Sequence, residues 1–280
     1  MPRYKLTVAY DGTDFYGWQK QEPPDPNAPK PAPGQEPQRL QLRTVQHVLE
    51  QTVREVIREP ITLMGASRTD SGVHANGQVA SFMSNPEPDK GVGWPAERGC
   101  DQLMRALNGR LPRDVLVRSA EIVPDDFNPI GDAVEKEYCY TMVSGDTRPL
   151  WDRRYVFHTW YALDADKMAR AAKLMEGEHD FAAFAQIAHG RKTTVRTIYH
   201  CLVETPKPGT VVIRVSGSGF LYNMVRIIAG TLMEVGRGKI EPESIPEIIT
   251  SGDRKRAGTT LPPQGLRLEW IRYDGEGTRD

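Results

Sequence analysis

Cysteine is scarce in this sequence. The three that occur, Cys100, Cys139 and Cys201, are far apart, and none forms a C-x-x-C pair. An odd, scattered set supplies neither a disulfide framework nor a zinc site, and it fits a reducing compartment. Charge of either sign is not in excess. Lys and Arg number 36 against 37 Asp and Glu, a formal net charge of −1. Any contact with nucleic acid therefore has to come from local patches rather than an overall basic field. Long hydrophobic runs are missing. The longest, Phe220 to Val235, carries Asn223, Arg226 and Glu234 and is too short and polar to span a bilayer. The opening Met-Pro-Arg-Tyr-Lys-Leu has no apolar core of signal-peptide length. These absences lead us to expect a soluble, cytoplasmic protein with no membrane contact.

Familiar catalytic signatures are absent as well. The six histidines (47, 74, 158, 179, 189 and 200) show no H-x-x-x-H spacing and no nearby carboxylate pairs, so no metal site is expected. There is no G-x-x-x-x-G-K-[ST] loop and no G-x-S-x-G elbow. Gly217-Ser218-Gly219 looks like a phosphate-binding turn, but it lacks the wider dinucleotide fingerprint.

What is present suits a globular protein. The 280 residues are 39% hydrophobic and 26% charged, with a mean hydropathy of −0.52. That length accommodates one large domain or two of ordinary size. Tyr4, Leu6, Val8 and Tyr10 alternate as on a half-buried strand. Residues 22–41 are proline-rich and nearly devoid of apolar side chains, which predicts an extended surface loop. Thr44 caps a predicted helix that carries Val45, Leu49, Val53 and Ile57 and stops at Pro60. A strand over Ile61–Met64, a loop, a strand over Gln78–Phe82, a helix over Ala96–Leu111 and a strand over Val115–Val123 complete a strand–helix–strand–strand–helix–strand order. The second half has a similar rhythm. Strands are expected at Glu137–Val143, Tyr155–Trp160, His200–Glu204, Val211–Ser216 and Leu266–Tyr273. Helices are expected after Asp164, over Phe220–Val235 and over Ser244–Ile249. The reading is α+β, with an N-terminal half-domain at 1–123, a connector at 124–134 and a C-terminal half-domain at 135–280.

The chemistry-bearing candidates are few. In Gly65-Ala-Ser-Arg-Thr-Asp-Ser-Gly72, Asp70 is either a turn residue that satisfies backbone N–H groups or a nucleophile. A nucleophilic carboxylate must stay ionised, and burial alone would raise its pKa, so it needs a cationic partner. Arg68 is close in sequence. Arg226 is the other candidate. It sits on an otherwise apolar helix between Tyr222, Asn223, Ala229 and Gly230, and a buried arginine requires an acidic partner. Tyr138 shares a strand face with Tyr140 and Met142, as sheet core or as a platform on which a base stacks. Basic clusters at Arg105/Arg110/Arg113/Arg118, Arg148/Arg153/Arg154, Arg191/Lys192/Arg196 and Arg254/Lys255/Arg256 are compatible with RNA.

Four segments carry a resemblance across nearly the whole chain. They are Ala9 to Gln19, Gly65 to Phe82, Lys136-Glu-Tyr-Cys-Tyr140, and Gly219-Phe-Leu-Tyr-Asn-Met-Val-Arg226 with Gly230 and Val235-Gly236 behind it. Gly177 to Phe181 and Gly265-Leu266-x-Leu268 add lesser matches. Together the sequence resembles the TruA family of tRNA pseudouridine synthases. The resemblance implies two related half-domains with mostly antiparallel sheets, forming a pseudouridine-synthase-type fold with an active-site cleft between them. It implies isomerisation of uridine to pseudouridine at positions 38, 39 and 40 in the anticodon arm of tRNA, with no cofactor and no metal, by a homodimer. By the same resemblance Asp70 is the nucleophile and Arg68 holds the flipped-out nucleotide. Tyr138 stacks on the base, Leu266 lines the pocket, and Arg226 pairs with Asp70 and keeps it ionised. The chain departs from the family in three places. Ser67 stands where glycine is usual, so the backbone there should not need a positive φ. Phe127-Asn128-Pro129-Ile130 lacks an arginine, and residues 22–41 replace a short link. Two rivals accompany this reading: an RNA-binding protein on the same fold without catalysis, and the same chemistry at other tRNA positions.

Overall fold

The first strand, β1 (Arg3–Tyr10), is built on the alternation read above. Tyr4, Leu6 and Val8 are fully buried, and the Tyr4 ring stacks on Phe82 at 5.3 Å. The structure is a computed structural model that describes residues 1–29, 31, 34–186 and 193–274. Lys30, Ala32 and Pro33 of the proline-rich stretch lie outside the described residues, as do His189, Arg191 and Lys192. The chain divides into two compact units. One is Met1–Gly72 with Val79–Ile130, and the other is Val73–Gln78 with Gly131–Asp280.

In the first unit β1 is followed by α1 (Val45–Ile57), β2 (Met64–Gly65), the Val79–Met83 part of β3 (His74–Met83), α2 (Cys100–Asn108) and β4 (Val115–Val123). The strand order is β4–β1–β3. Strands β1 and β4 run antiparallel from Arg3 opposite Val123 to Tyr10 opposite Val115, with a bulge between Thr7 and Val8. Helix α1 starts where Thr44 accepts the His47 N–H and ends where Arg58 turns left-handed at φ 57°. Its Val45, Leu49 and Val53 are buried, as are Leu103 and Leu107 of α2. The expected start of α2 at Ala96 is not met. Residues Ala96–Arg98 form a separate single turn, and Gly99, at φ 80°, breaks the chain before the helix proper begins.

The second unit holds β5 (Ala133–Ser144), β6 (Phe157–Thr159), α3 (Ala165–Lys173), β7 (Gly177–Asp180), β8 (Val195–Lys207), β9 (Thr210–Gly217), α4 (Met224–Gly236), α5 (Ile245–Ser251) and β10 (Leu266–Tyr273). Its strand order, beginning with the His74–Gln78 part of β3, is β3–β10–β5–β9–β8–β7. All neighbours on this path are antiparallel except β3 and β10, and β6 adds to β5 in parallel. The protein is therefore α+β with mostly antiparallel strands. Strand β3 begins four residues earlier than the alternation suggested. Its start is hidden in sequence by Gly77, whose missing Cβ lets the backbone lie against Glu269 (a Cβ would come within 2.5 Å of its carbonyl oxygen). Helix α4 begins at Met224 rather than Phe220, because Asn223 adopts a left-handed conformation at φ 61°. Apart from Arg226 and Glu234, every residue of α4 is buried, as its nearly continuous apolar surface predicted. Among the described residues no helix is long and apolar enough to cross a membrane.

Candidate active site

The loop from Gly65 to Gly72 is fixed from both flanks within the first unit. At its entry Gly65 packs on the indole of Trp18, so closely that a Cβ would fall 2.1 Å from Nε1. Next, the Ala66 N–H donates to the Val79 carbonyl at 2.8 Å. The residues either side of Asp70 are tied down individually. Thr69 is buried. Its hydroxyl meets the Tyr10 hydroxyl at 2.7 Å, and its carbonyl accepts the Trp18 N–H at 3.1 Å. The Ser71 hydroxyl donates to the Phe15 carbonyl at 3.1 Å, and the Gly72 N–H reaches the same oxygen at 3.3 Å. Gly17 makes this docking possible. It has φ 84°, and a Cβ there would stand 2.6 Å from the Thr69 oxygen.

Phe15 and Trp18 are core, and Tyr16 between them is exposed. Together with Gly17 they form the wall against which the loop rests. Asp70 itself is half-buried and Arg68 is exposed. A carboxylate held by backbone and side-chain bonds to its neighbours needs no reorganisation to meet a substrate. Ser67 has no positive φ, as its replacement of glycine required: the only non-glycine residues with positive φ among those described are Arg58 and Asn223.

Within the second unit, Tyr138, Leu266 and Arg226 are set by three elements. Tyr138 on β5 lies opposite Leu268 of β10 and Val215 of β9. Tyr140, two residues on, lies opposite Leu266. Partners in register share a face, so Tyr138, Tyr140, Leu266 and Leu268 form one continuous surface. All four are buried, and the edge of the Tyr138 ring meets Phe220 at 5.2 Å and 85°. The Tyr140 hydroxyl donates to the Pro262 carbonyl at 2.8 Å, and burial drives its pKa far above the ordinary value, so it stays a neutral donor.

Helix α4 packs against β5 and carries the half-buried Arg226. Two contacts orient the guanidinium: Nε donates to the Leu261 carbonyl at 2.7 Å, and an Nη donates to the Asn223 side-chain oxygen at 2.7 Å. The Leu261 contact depends on a close approach of backbones. A Cβ on Gly230 would lie 1.9 Å from the Thr259 oxygen, and one on Gly258 would lie 2.4 Å from the Gly230 carbonyl carbon. Arg254 braces this segment through the carbonyls of Ala257 and Gly258 and the Thr260 hydroxyl, and burial lowers its pKa. One member of a sequence-level basic cluster therefore has a structural task.

The first unit brings Arg68 and Asp70 together on one loop, and the second gathers Tyr138, Leu266 and Arg226 around one sheet face. Sequence reading missed Tyr10, Thr69, Phe220, Asn223 and Leu261, which hold these groups in place. Gly17 and Gly230, each beside a candidate residue or its support, were the available signals. In place of the missing arginine, residues 127–130 form a turn in which the Asn128 side chain accepts the Ile130 N–H at 3.0 Å. Among the described residues no cluster of His, Cys, Asp and Glu could hold a metal ion.

Comparison with known proteins agrees with the motifs. A family model described as tRNA pseudouridine synthase matches residues 6–130 and 171–274. A "tRNA pseudouridine synthase A 2" of Clostridium perfringens is 42% identical over 274 residues, which cover 98% of this chain and 100% of the relative. "tRNA pseudouridine synthase A" of Acetivibrio thermocellus is 41% identical over 273 residues, with 98% and 100% covered. The protein of the same name from Geotalea uraniireducens is 41% identical over 274 residues, with the same coverage. The chain belongs to the tRNA pseudouridine synthase family, a family of isomerases.

Proposed function

We propose that this protein converts uridine to pseudouridine at positions 38, 39 and 40 in the anticodon stem-loop of tRNAs, with Asp70 as the nucleophile. The observation that carries the reading is the loop itself: Asp70 sits between Thr69 and Ser71, and both are tied by hydrogen bonds to the Phe15–Trp18 wall. The reaction breaks the bond from uracil N1 to ribose C1′, joins C5 to C1′, and releases the C5 hydrogen to solvent. N1, freed from C1′, takes up a proton from solvent in place of the one lost from C5, so product and substrate are isomers and neither oxidant nor reductant is involved. An ionised carboxylate can open this sequence by attack at C1′ or at C6 of the base.

The remaining roles follow from position and chemistry. The glycosidic bond is out of reach inside a helix, so the target nucleotide has to be flipped out. Arg68, exposed beside Asp70 on the loop, holds the displaced nucleotide by its charge. Tyr138 offers a ring for stacking, and Leu266 contributes an apolar wall. Arg226, its guanidinium oriented by Leu261 and Asn223, favours the ionised form of Asp70. The working form is a homodimer in the cytoplasm, with tRNA as partner.

The test is the C5 hydrogen. Purified Asp70→Asn should release tritium from C5-labelled tRNA at least about a thousandfold more slowly than the parent protein, because a group acting in the transition state is lost. tRNA binding should survive. Release at the parental rate would refute the role of Asp70. Mapping pseudouridine in tRNA from a strain lacking the protein checks the positions: sites 38–40 should read as uridine.

A further inference from the structure

We infer that Gln46, Glu50 and Arg54 of α1 are positioning residues for the Asp70 loop, acting through the main chain of Ile61 and Leu63. The inference rests on the proposed role of Asp70. The three side chains are spaced four apart, so they lie in one row along the helix. They face the extended segment that feeds β2 and the loop. Arg54 donates through Nε and an Nη to the Ile61 carbonyl at 2.9 and 2.7 Å. Glu50 accepts the Leu63 N–H at 3.0 Å, and Gln46 donates to the Leu63 carbonyl at 2.8 Å.

In an extended chain the polar groups of alternate residues leave opposite edges. Residue 64 turns the other way and pairs with Ser81 of β3. Ile61 and Leu63 point at α1, where no strand among the described residues lies to receive them. The row of helix side chains takes the place of that strand and supplies donor, acceptor and donor in the order the backbone demands. Ile61 and Leu63 are both buried, so leaving these groups unmet would be costly.

The same helix holds the far side of the loop. The Val45 and Gln46 N–H groups, in its first turn, donate to the Gly17 and Trp18 carbonyls at 3.1 and 3.0 Å. The Gln46 side-chain oxygen accepts from the Lys20 N–H and from the Gln19 side chain, each at 2.9 Å. Trp18 in turn fixes Thr69, next to Asp70, and backs Gly65. Gln46 therefore ties the entry of the loop, at Leu63, to the wall that pins its centre. Such a frame fixes where Asp70 sits rather than how tightly RNA is held, and small misplacements of a reacting group are expensive in rate.

The test separates kcat from KM. Gln46→Leu keeps the side-chain bulk and removes the polar ties. It should lower kcat for C5 hydrogen release by about ten- to a hundredfold, with KM for tRNA changed by less than about threefold. Val53→Ala on the same helix is the stability control. It removes buried methyl groups but no tie to the loop, and at a matched fall in melting temperature its kcat should stay within about twofold of the parent. Arg54→Leu, at a partly exposed site, removes the tie to the Ile61 carbonyl and provides a second variant, with kcat down about three- to tenfold. Equal kcat losses in Gln46→Leu and Val53→Ala, or unchanged kcat in both Gln46→Leu and Arg54→Leu, would overturn the inference. If the parent protein itself released no C5 hydrogen from tRNA, the proposed function would fail instead, so the two failures are distinguishable.

Discussion

Single residues set the geometry of the Asp70 loop, and glycines do so by what they omit. Gly17 combines φ 84° with the close approach of the Thr69 carbonyl. Gly17→Ala would strain the backbone and push the loop off its wall. A stability loss of about 2–4 kcal/mol is expected from the two effects together, read as a shift in urea midpoint. A loss under about 0.5 kcal/mol would mean the contact is easily relaxed. The identities of Asp70, Arg68, Tyr138 and Arg226 were open to inspection in the sequence because motifs are strings. Their surroundings were not. That the Tyr10 hydroxyl meets the Thr69 hydroxyl links residues 59 positions apart, and no local pattern encodes such a contact.

Among the elements, α1 shows how far periodicity reaches. Its cap, its apolar face and its end were all visible in the sequence, and the helix spans Val45–Ile57. The polar row beside that face, Gln46, Glu50 and Arg54, carries no local sign of what it meets, yet Glu50 is almost fully buried. Burial pushes the Glu50 carboxyl up. Hydrogen bonds from Lys20 and the Leu63 N–H, with the charges of Lys20 and Arg54, overcome this and leave it below its ordinary value of 4.5. A carboxyl depressed in the folded state binds protons more readily once unfolded. Its contribution to stability is therefore complete above pH 4.5 and is lost as the pH falls through the lower folded value. Glu50→Gln should be less stable at neutral pH and should lose less further stability on acidification from about pH 6 to 3. Denaturant titrations across that range check this, and parallel curves for the two proteins would contradict it. Helix α4 gave the opposite lesson. Its apolar run extends back to Phe220, but the left-handed Asn223 delays its start and serves Arg226 instead.

For the molecule as a whole, the proline-rich stretch at residues 22–41 contributes no helix and only one isolated strand pairing among the described residues, Pro24 with Arg39. Its base is not loose. The Leu42 N–H donates to Gln21, Leu40 to Pro23 and Asp25 to Gln38, at 3.2, 2.8 and 2.7 Å, so the two arms pair before the stretch runs out. This pairing carries the chain out from Lys20 and back to the start of α1 without burying apolar surface. Replacing residues 25–38 with an Asn-Gly turn should therefore close the ladder as a short hairpin. The melting temperature should stay within about 3 °C, and tRNA affinity within about twofold. A large loss of affinity at unchanged stability would instead give the stretch a part in grasping RNA.

The sequence by itself determined the α+β class, most strand and helix positions, and the family, because these depend on alternation, capping and long motifs that neighbouring residues carry together. Only the tertiary structure decided that Phe15 and Trp18 are a wall rather than surface, that Arg254 is a brace, and that Gln46, Glu50 and Arg54 meet a backbone edge. Those facts depend on which distant main-chain groups need a partner once the chain is folded, and burial makes that demand only after packing is complete.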